Sequence, residues 1–452
     1  MKLSTIILTA ASAFTFLLCS CRKESDDILS GNIYTTDGYY NMMNSYPRSY
    51  EEMFRTLWVG MNCNYAAWDI ETVDWDSVYN VCLPVVRSWD EDIVCGRDTV
   101  GTDVMKAFFT EMFSGIRDGH FRVKIWDMIR DVSFSVSPSA DRLMQRPDYH
   151  SAALWFNEKE YYREILKDST VAVSDSVSPS VCSSLKKYSD QGFFSSPVQM
   201  AVSPDEHMCV MTGVIGGTIP YMRFSSFEFC TSFIQEQSLP KNRRNVSSAY
   251  QSWFKNIQHM TFDNSLDGVI VDVRGNSGGL VDDFRYIVGS LVTDSVIEVG
   301  KYRRKDGLGR LDFGPAVPMR LPCRNTVHYS VVDRPIVILT DCNSGSMAEI
   351  TAYCSMLKDN IFTVGECTYG ATSMLDNSYE ATYSGSFGDR EHGPYFVYLP
   401  SGLFIPSVGP LLEGTGVEPD FHVPFNQAQF NSTLQDNQLE TAVSLIKSGL
   451  MD

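Results

Sequence analysis

Positive charge, paired cysteines and long apolar runs are all scarce in this sequence. Lysine and arginine number 37 against 55 aspartates and glutamates, giving a formal net charge of −18. That balance argues against a nucleic-acid partner, because such binding rests on neutralising phosphates. None of the 12 cysteines forms C-x-x-C, and none stands at zinc spacing from a histidine, so no metal site is expected. Cysteines within apolar runs, such as Cys209, Cys342 and Cys354, read as buried free thiols. There is no internal repeat, no glycine-rich nucleotide cradle and no transmembrane-length apolar stretch. Lysine is missing altogether between Lys358 and Lys447, an absence that bears on mechanism.

What is present is the composition of a folded globular protein, 44% hydrophobic and 20% charged over 452 residues. That length calls for more than one domain. Residues 1–20 read as a signal segment, with Lys2 as the positive end and Ile6 to Leu18 as an apolar core too short to span comfortably. Leu18-Cys19-Ser20-Cys21 resembles a bacterial lipobox, with cleavage before a lipidated Cys21. The expectation is an exported protein, lipid-anchored to the outer membrane of the cell envelope, with residues 21–44 as lipidated terminus and linker. Ordinary secretion with a free Cys21 is the simpler alternative.

Residues 45–126 read as an N-terminal helical domain. Apolar residues recur at three and four from Tyr50 (Met53, Phe54, Leu57, Trp58, Met61) and again from Thr102 to about Ile116, with Asp118-Gly119 as a C-cap signal. HFRVKIW then alternates like a strand. Residues 127–208 are poorly patterned and read as an insert. From 209 to 425 the pattern is α/β: two strands in CVMTGVIGGTIPYMRF, a helix over Ala249–Met260, a buried strand at Val269–Val271, a helix over Asp282–Val292, and strands near Phe396 and Phe404. Residues 426–452 hold a closing helix, Gln438 to Lys447.

Within this α/β region, PIVILTDCNSGSMAEI places Ser346 on a tight turn between a buried strand and a helix from about Met347 to Asp359. Free helix N–H groups there suit a developing oxyanion. Ser346 and Glu349 also spell S-x-x-E, a capping box, which is the plain structural reading. DVRGNSGG (272–279), GECTYG (365–370) and GVEPD (416–420) change the balance. With the serine turn they resemble, in order, the motifs of the tail-specific (C-terminal processing) serine peptidases. The resemblance implies a multidomain α/β protein with a ClpP/crotonase-like catalytic core.

Many members of that family pair the serine with a lysine after the T-x-G; here that position is Ala371. The branch resembling the tricorn protease core uses a histidine and a glutamate instead, and His120 and Glu413 occupy matching positions. The implied chemistry has Ser346 as nucleophile, His120 as base and Glu413 as its orienting carboxylate. The backbone N–H groups of Met347 and Gly278 would form the oxyanion hole, with Gly279 as alternative donor. No metal or cofactor is called for, and the expected substrate is a peptide or protein. The competing reading is a non-catalytic peptide- or ligand-binding lipoprotein on the same scaffold. An acyl-CoA enzyme of crotonase type rests on fold analogy alone.

Overall fold

The computed structural model describes residues 42, 46–97, 99–127, 129–150, 181–196, 198–324, 333–375, 385–389 and 393–449. The expected signal segment, Cys21 and nearly all of the linker lie outside the described residues. Among the described residues no helix is long and apolar enough to cross a membrane, and the nine cysteines with described side chains form no disulfide.

Three helices come first: α1 (Tyr50–Asn64), α2 (Trp75–Val94) and α3 (Thr102–Phe113). Ser49 accepts the Glu52 N–H at the start of α1, and Asp74 accepts those of Asp76 and Ser77 at α2, satisfying donors that a helix leaves orphaned. The helices interlock through aromatic rings, Trp58 stacking on Trp75 and Trp75 on Phe113. Helix α3 ends at Phe113, so Asp118-Gly119 is not its C-cap.

After His120 come β1 (Arg122–Asp127), β2 (Val132–Val136), α4 (Pro138–Met144) and α5 (Val181–Asp190). Next are β3 (Gln199–Val202), β4 (Cys209–Ile215), β5 (Ile219–Phe224), α6 (Phe229–Gln237), α7 (Asn245–Phe262) and β6 (Val269–Asp272). Strands β7 (Val296–Arg303), β8 (Val317–Pro322) and β9 (Ile336–Thr340) lead to α8 (Met347–Tyr353) and β10 (Ile361–Gly365). Strands β11 (Phe387–Gly388), β12 (Tyr395–Tyr398), β13 (Leu403–Pro406) and β14 (Phe421–His422) precede α9 (Gln427–Thr433) and α10 (Asn437–Ser448).

A seven-stranded sheet in the order β14-β10-β9-β6-β5-β4-β3 forms the centre. Strands β5, β6, β9, β10 and β14 run parallel, and β3 and β4 add antiparallel. The apolar runs of β6 and β9 are buried at every position, as expected of strands covered on both faces. Val269, Val271 and Ile338 pack on the α7 side, whereas Ile270, Val337 and Leu339 pack with Leu439, Val443 and Ile446 of α10.

Two sequence boundaries need correction. The helical layer is not free-standing: Val123 and Ile125 share its core with Phe387, Tyr395 and Val397, because β1 pairs with β12, more than 260 residues later. The segment read as an insert is not all peripheral either, since β3 completes the edge of the central sheet and β2 pairs with β1. Further, Asp282–Val292 forms two short 3-10 turns instead of an α-helix. Gly289 lies there so close to Phe284 and Pro322 that an added Cβ would fall 2.9 Å from both. The helix after Ser346 likewise ends early, at Tyr353, in a 3-10 turn.

Candidate active site

The serine turn begins where β9 stops. Ser346 adopts φ +53°, ψ −118°, a region that costs a residue bearing a Cβ about 1–3 kcal/mol and persists only when neighbours enforce it. The enforcement is explicit. The Asp341 carboxylate accepts the N–H groups of Gly275 (2.8 Å) and Asn343 (3.1 Å), and Gly345 N–H donates to Asn276 O (2.9 Å). Ser344 donates its hydroxyl to Val273 O (2.8 Å) and accepts the Asp341 N–H (3.0 Å). It is fully buried, which makes it a structural serine.

Glu349 supports the turn from behind. Its buried carboxylate accepts the Ser346 N–H (3.1 Å), the Glu349 half of the expected capping pair. It also accepts the Thr368 hydroxyl (2.6 Å) and the N–H groups of Gly370 (2.6 Å) and Ala371 (2.7 Å). Burial pushes its carboxyl up to about 7. GECTYGA is thereby fastened to the serine turn.

DVRGNSGG divides its labour. Buried Arg274 forks between Asp272 (2.9 and 2.7 Å) and Asp436 (2.9 and 2.8 Å), tying the end of β6 to the start of α10. The glycines make close approach possible. A Cβ on Gly278 would lie 2.6 Å from the Ser346 Cβ and 2.7 Å from the Met347 nitrogen, filling the space in front of the serine. The Gly278 N–H is already engaged, donating to Asn276 Oδ1 at 2.8 Å. Gly279 bridges to Phe227, which uses the Gly278 carbonyl and the Leu280 N–H. Its own N–H therefore turns to the other side.

His120 arrives from the helical layer. Arg117 N–H donates to Glu71 (2.9 Å), and Asp118 Oδ1 accepts the N–H groups of His120 (2.8 Å) and Phe121 (3.0 Å). Gly119 N–H donates to Glu413 Oε1 (2.7 Å), whose Oε2 takes the N–H groups of Thr372 (3.0 Å) and Ser373 (2.7 Å). Donor atoms of Asp118, His120 and Glu413 lie within 4.8 Å of one another. His120 Nδ1 is nonetheless buried without a hydrogen-bond partner. The expected His120–Glu413 bond is thus not made in this state; backbone donors take up part of the Glu413 acceptor capacity but leave Oε1 with a single donor. Those donors also make the cluster a poor cation site, since an ion would face their hydrogens.

Electrostatics follow from burial. His120 is held below the usual imidazole range, chiefly by burial, with Glu413 pulling upward and Arg122 downward. Burial, reinforced by the charge of Glu413, raises the Asp118 carboxyl well above its ordinary range.

An open cavity of about 660 Å³ joins the pieces: Ser346, Met347, Gly278, Gly279 and His120 all line it. Glu413 sits behind His120, fully buried. Sequence reading took Asp118 only as part of a helix C-cap signal, whereas its Asp-x-His spacing is the signal of a side chain capping its own turn. It passed over His150. That ring lies buried, with Nε2 3.0 Å from Asp341 Oδ2 and Nδ1 3.6 Å from Glu366 Oε2, and nothing in its local sequence announces this.

Residues 218–423 match the model of Peptidase family S41. That span, 206 of the 452 residues, carries the peptidase domain of this tail-specific family. The chain is a serine-type peptidase, and its substrates are peptides or proteins. The matched span contains Ser346 and Glu413, while His120 lies outside it. Among solved structures, a provisionally assigned peptidase from Parabacteroides merdae ATCC 43184 is 20% identical, with 89% of this chain and 97% of that chain covered and a TM-score of 0.53. Mature CPAF is 12% identical, covered over 89% and 98% of the two chains, at a TM-score of 0.52. Its complex with lactacystin gives 11% identity, the same coverage and a TM-score of 0.51. At these identities the likeness concerns the fold. No curated protein matches the peptidase.

Proposed function

We propose that this peptidase hydrolyses peptide bonds through Ser346, His120 and Glu413, on a core of ClpP/crotonase-like type. The observation that carries the reading is the strained Ser346 facing the same cavity as His120, with the first free N–H of α8 beside it. His120 takes the hydroxyl proton as Ser346 attacks the scissile carbonyl, then passes it to the leaving amine; water deacylates the enzyme by the same route. Glu413 orients the imidazole once a bound substrate tightens the cluster, as catalytic hydrogen bonds often lengthen in the empty site. Met347 N–H and Gly279 N–H hold the oxyanion, and Gly278 N–H joins only if it leaves Asn276. The same reading has the protein exported and anchored through lipid on Cys21 to the bacterial outer membrane.

A fluorophosphonate probe tests the nucleophile. Wild type is expected to label, and Ser346→Ala is not. Equal labelling of the variant would move the nucleophile elsewhere. The unmade His120–Glu413 bond favours a second reading, a peptide-binding protein without turnover; wild type that neither labels nor hydrolyses any member of a broad peptide library would establish it. Intact mass of the mature protein tests the anchor, and a mass without lipid removes it.

A further inference from the structure

The cavity wall beside His120 carries a charge pattern that the hydrolytic chemistry does not use. Strand β1 starts two residues after His120, and its sides alternate. Val123 and Ile125 are fully buried in the helical core, while Arg122 and Lys124 line the cavity that holds Ser346. Across the ladder, Arg122 stands opposite Tyr398 and Lys124 opposite Phe396, and both aromatic residues also line the cavity. The wall is thus two cations backed by two aromatic rings.

Among the described residues no carboxylate pairs with Arg122 or Lys124. Lys124 Nζ instead lies 4.1 Å from the centroid of the Trp126 ring, two residues along the same face. Among the described cavity-lining residues the one acid is Glu228, just before α6. In a chain whose net charge is −18, cations without a carboxylate partner among the described residues, on a substrate-facing wall, select for an anion.

The direction follows from the proton path. In the Ser346–His120 reading His120 protonates the leaving amine, and because Arg122 and Lys124 follow it on the same cavity wall, that reading assigns them to the leaving-group side. At roughly 3.3 Å per residue, Arg122 and Lys124 lie about 7 and 13 Å along β1 from His120. An extended substrate covers those distances in about two and four residues.

We propose that Arg122 and Lys124 form a subsite that reads a carboxylate within about four residues on the leaving-group side of the cleaved bond. The carboxylate belongs either to an acidic side chain or to the free end of the substrate. The side assigned rests on the Ser346–His120 reading; the recognition of negative charge does not.

The test is binding to full-length Ser346→Ala protein, which needs no turnover. Three fluorescent peptides share one neutral sequence: one ends in an amide, one ends in a free carboxylate, and one ends in an amide but carries a glutamate two to four residues from that end. At low salt at least one carboxylate peptide is expected to bind about tenfold more tightly than the neutral amide, and the gap should shrink at high salt. Whichever carboxylate peptide gains identifies the source. Adding Arg122→Gln and Lys124→Gln should remove the gap, and Arg122→Lys with Lys124→Arg should retain it. Equal binding of all three peptides, or a gap that survives the double glutamine variant, overturns the subsite. Wild type that hydrolyses nothing would remove the triad reading and still leave this measurement decisive. Where wild type does hydrolyse, the acid should fall in the C-terminal product; acids confined to the N-terminal product overturn the side assigned.

Discussion

The backbone of Gly119 lies directly against Ala371: a Cβ built on Gly119 would fall 2.4 Å from the Ala371 Cβ and 2.5 Å from the Gly370 carbonyl oxygen. Ala371 is therefore the residue on which the loop carrying His120 rests. A long side chain at 371 would have to displace the main chain that presents His120.

Two outcomes follow for that contact. Gly119→Ala should push the loop off Ala371 and lower kcat/KM by about 100-fold, the usual scale for a misplacement of an ångström. Ala371→Lys should fail to create a serine–lysine enzyme and should lose activity as well. Peptide hydrolysis by the two variants, with melting temperatures to verify folding, is the check. An Ala371→Lys protein as active as wild type would show that the loop does not depend on this contact.

His120→Ala should reduce turnover on the order of 10³-fold or more. The acid limb of kcat/KM should have its midpoint below the ordinary imidazole value of about 6.5, because burial lowers the pKa of His120 and only the neutral ring accepts a proton. Glu413→Gln should cost less turnover than His120→Ala but more stability. Its amide would turn an N–H toward backbone donors from Gly119, Thr372 or Ser373, a penalty of about 1–3 kcal/mol. pH–rate profiles and thermal melts of the three proteins measure both effects. A His120→Ala enzyme with the wild-type profile would remove the histidine from the mechanism.

How much of this was legible follows the range of the interactions. Strands β4, β5, β6 and β9 and helix α7 stood out because their burial is written locally, in apolar runs and a helical period. Ser346 and Glu349 were legible as a pair because capping acts over three residues. The β1–β12 pairing was not, since nothing near Val123 marks Val397 as its partner. Nor was the occupation of the Gly278 N–H by Asn276, which depends on the side chain's rotation within the turn. Asp282–Val292 has helical spacing, yet tertiary crowding at Gly289 holds it to 3-10 turns.

The Asn276 contact is testable in its own right. Asn276 is fully buried; its Oδ1 accepts the Gly278 N–H, and its side-chain amide donates to Phe224 O at 2.9 Å. Asn276→Ala should leave the Phe224 carbonyl without that donor and loosen the double-glycine turn, costing about 1–3 kcal/mol of stability. If the turn orients the oxyanion donors, kcat should fall by at least tenfold with KM little changed, since such donors act in the transition state. Steady-state kinetics decide it: a rise in KM alone would place Asn276 in substrate binding.

The last expectation concerns His150, which joins the start of the serine turn to the GECTYGA loop. Burial opposes its protonation, but the hydrogen bond and charge of Asp341 and the charge of Glu366 outweigh it, so its pKa is raised. Burial likewise opposes ionisation of Asp341, and the same pairing with His150 outweighs it and holds that carboxyl low. A raised histidine contributes stability that is fully present below its unfolded value of about 6.5 and is lost as pH rises through the higher folded value. The depressed Asp341 contributes above about 3.9 and loses its share as pH falls through its lower folded value. The clamp is therefore fully charged between about pH 4 and 6.5 and weakens on the alkaline side. His150→Ala should destabilise the protein by about 1–3 kcal/mol at pH 6, since Asp341 keeps its bonds to Gly275 and Asn343. The gap in melting temperature from wild type should narrow toward pH 9, and turnover at pH 6 should fall because Asp341 anchors the turn that strains Ser346. Melts across pH 5 to 9 measure this directly, and a gap that stays constant over that range would mean that His150 acts by packing alone.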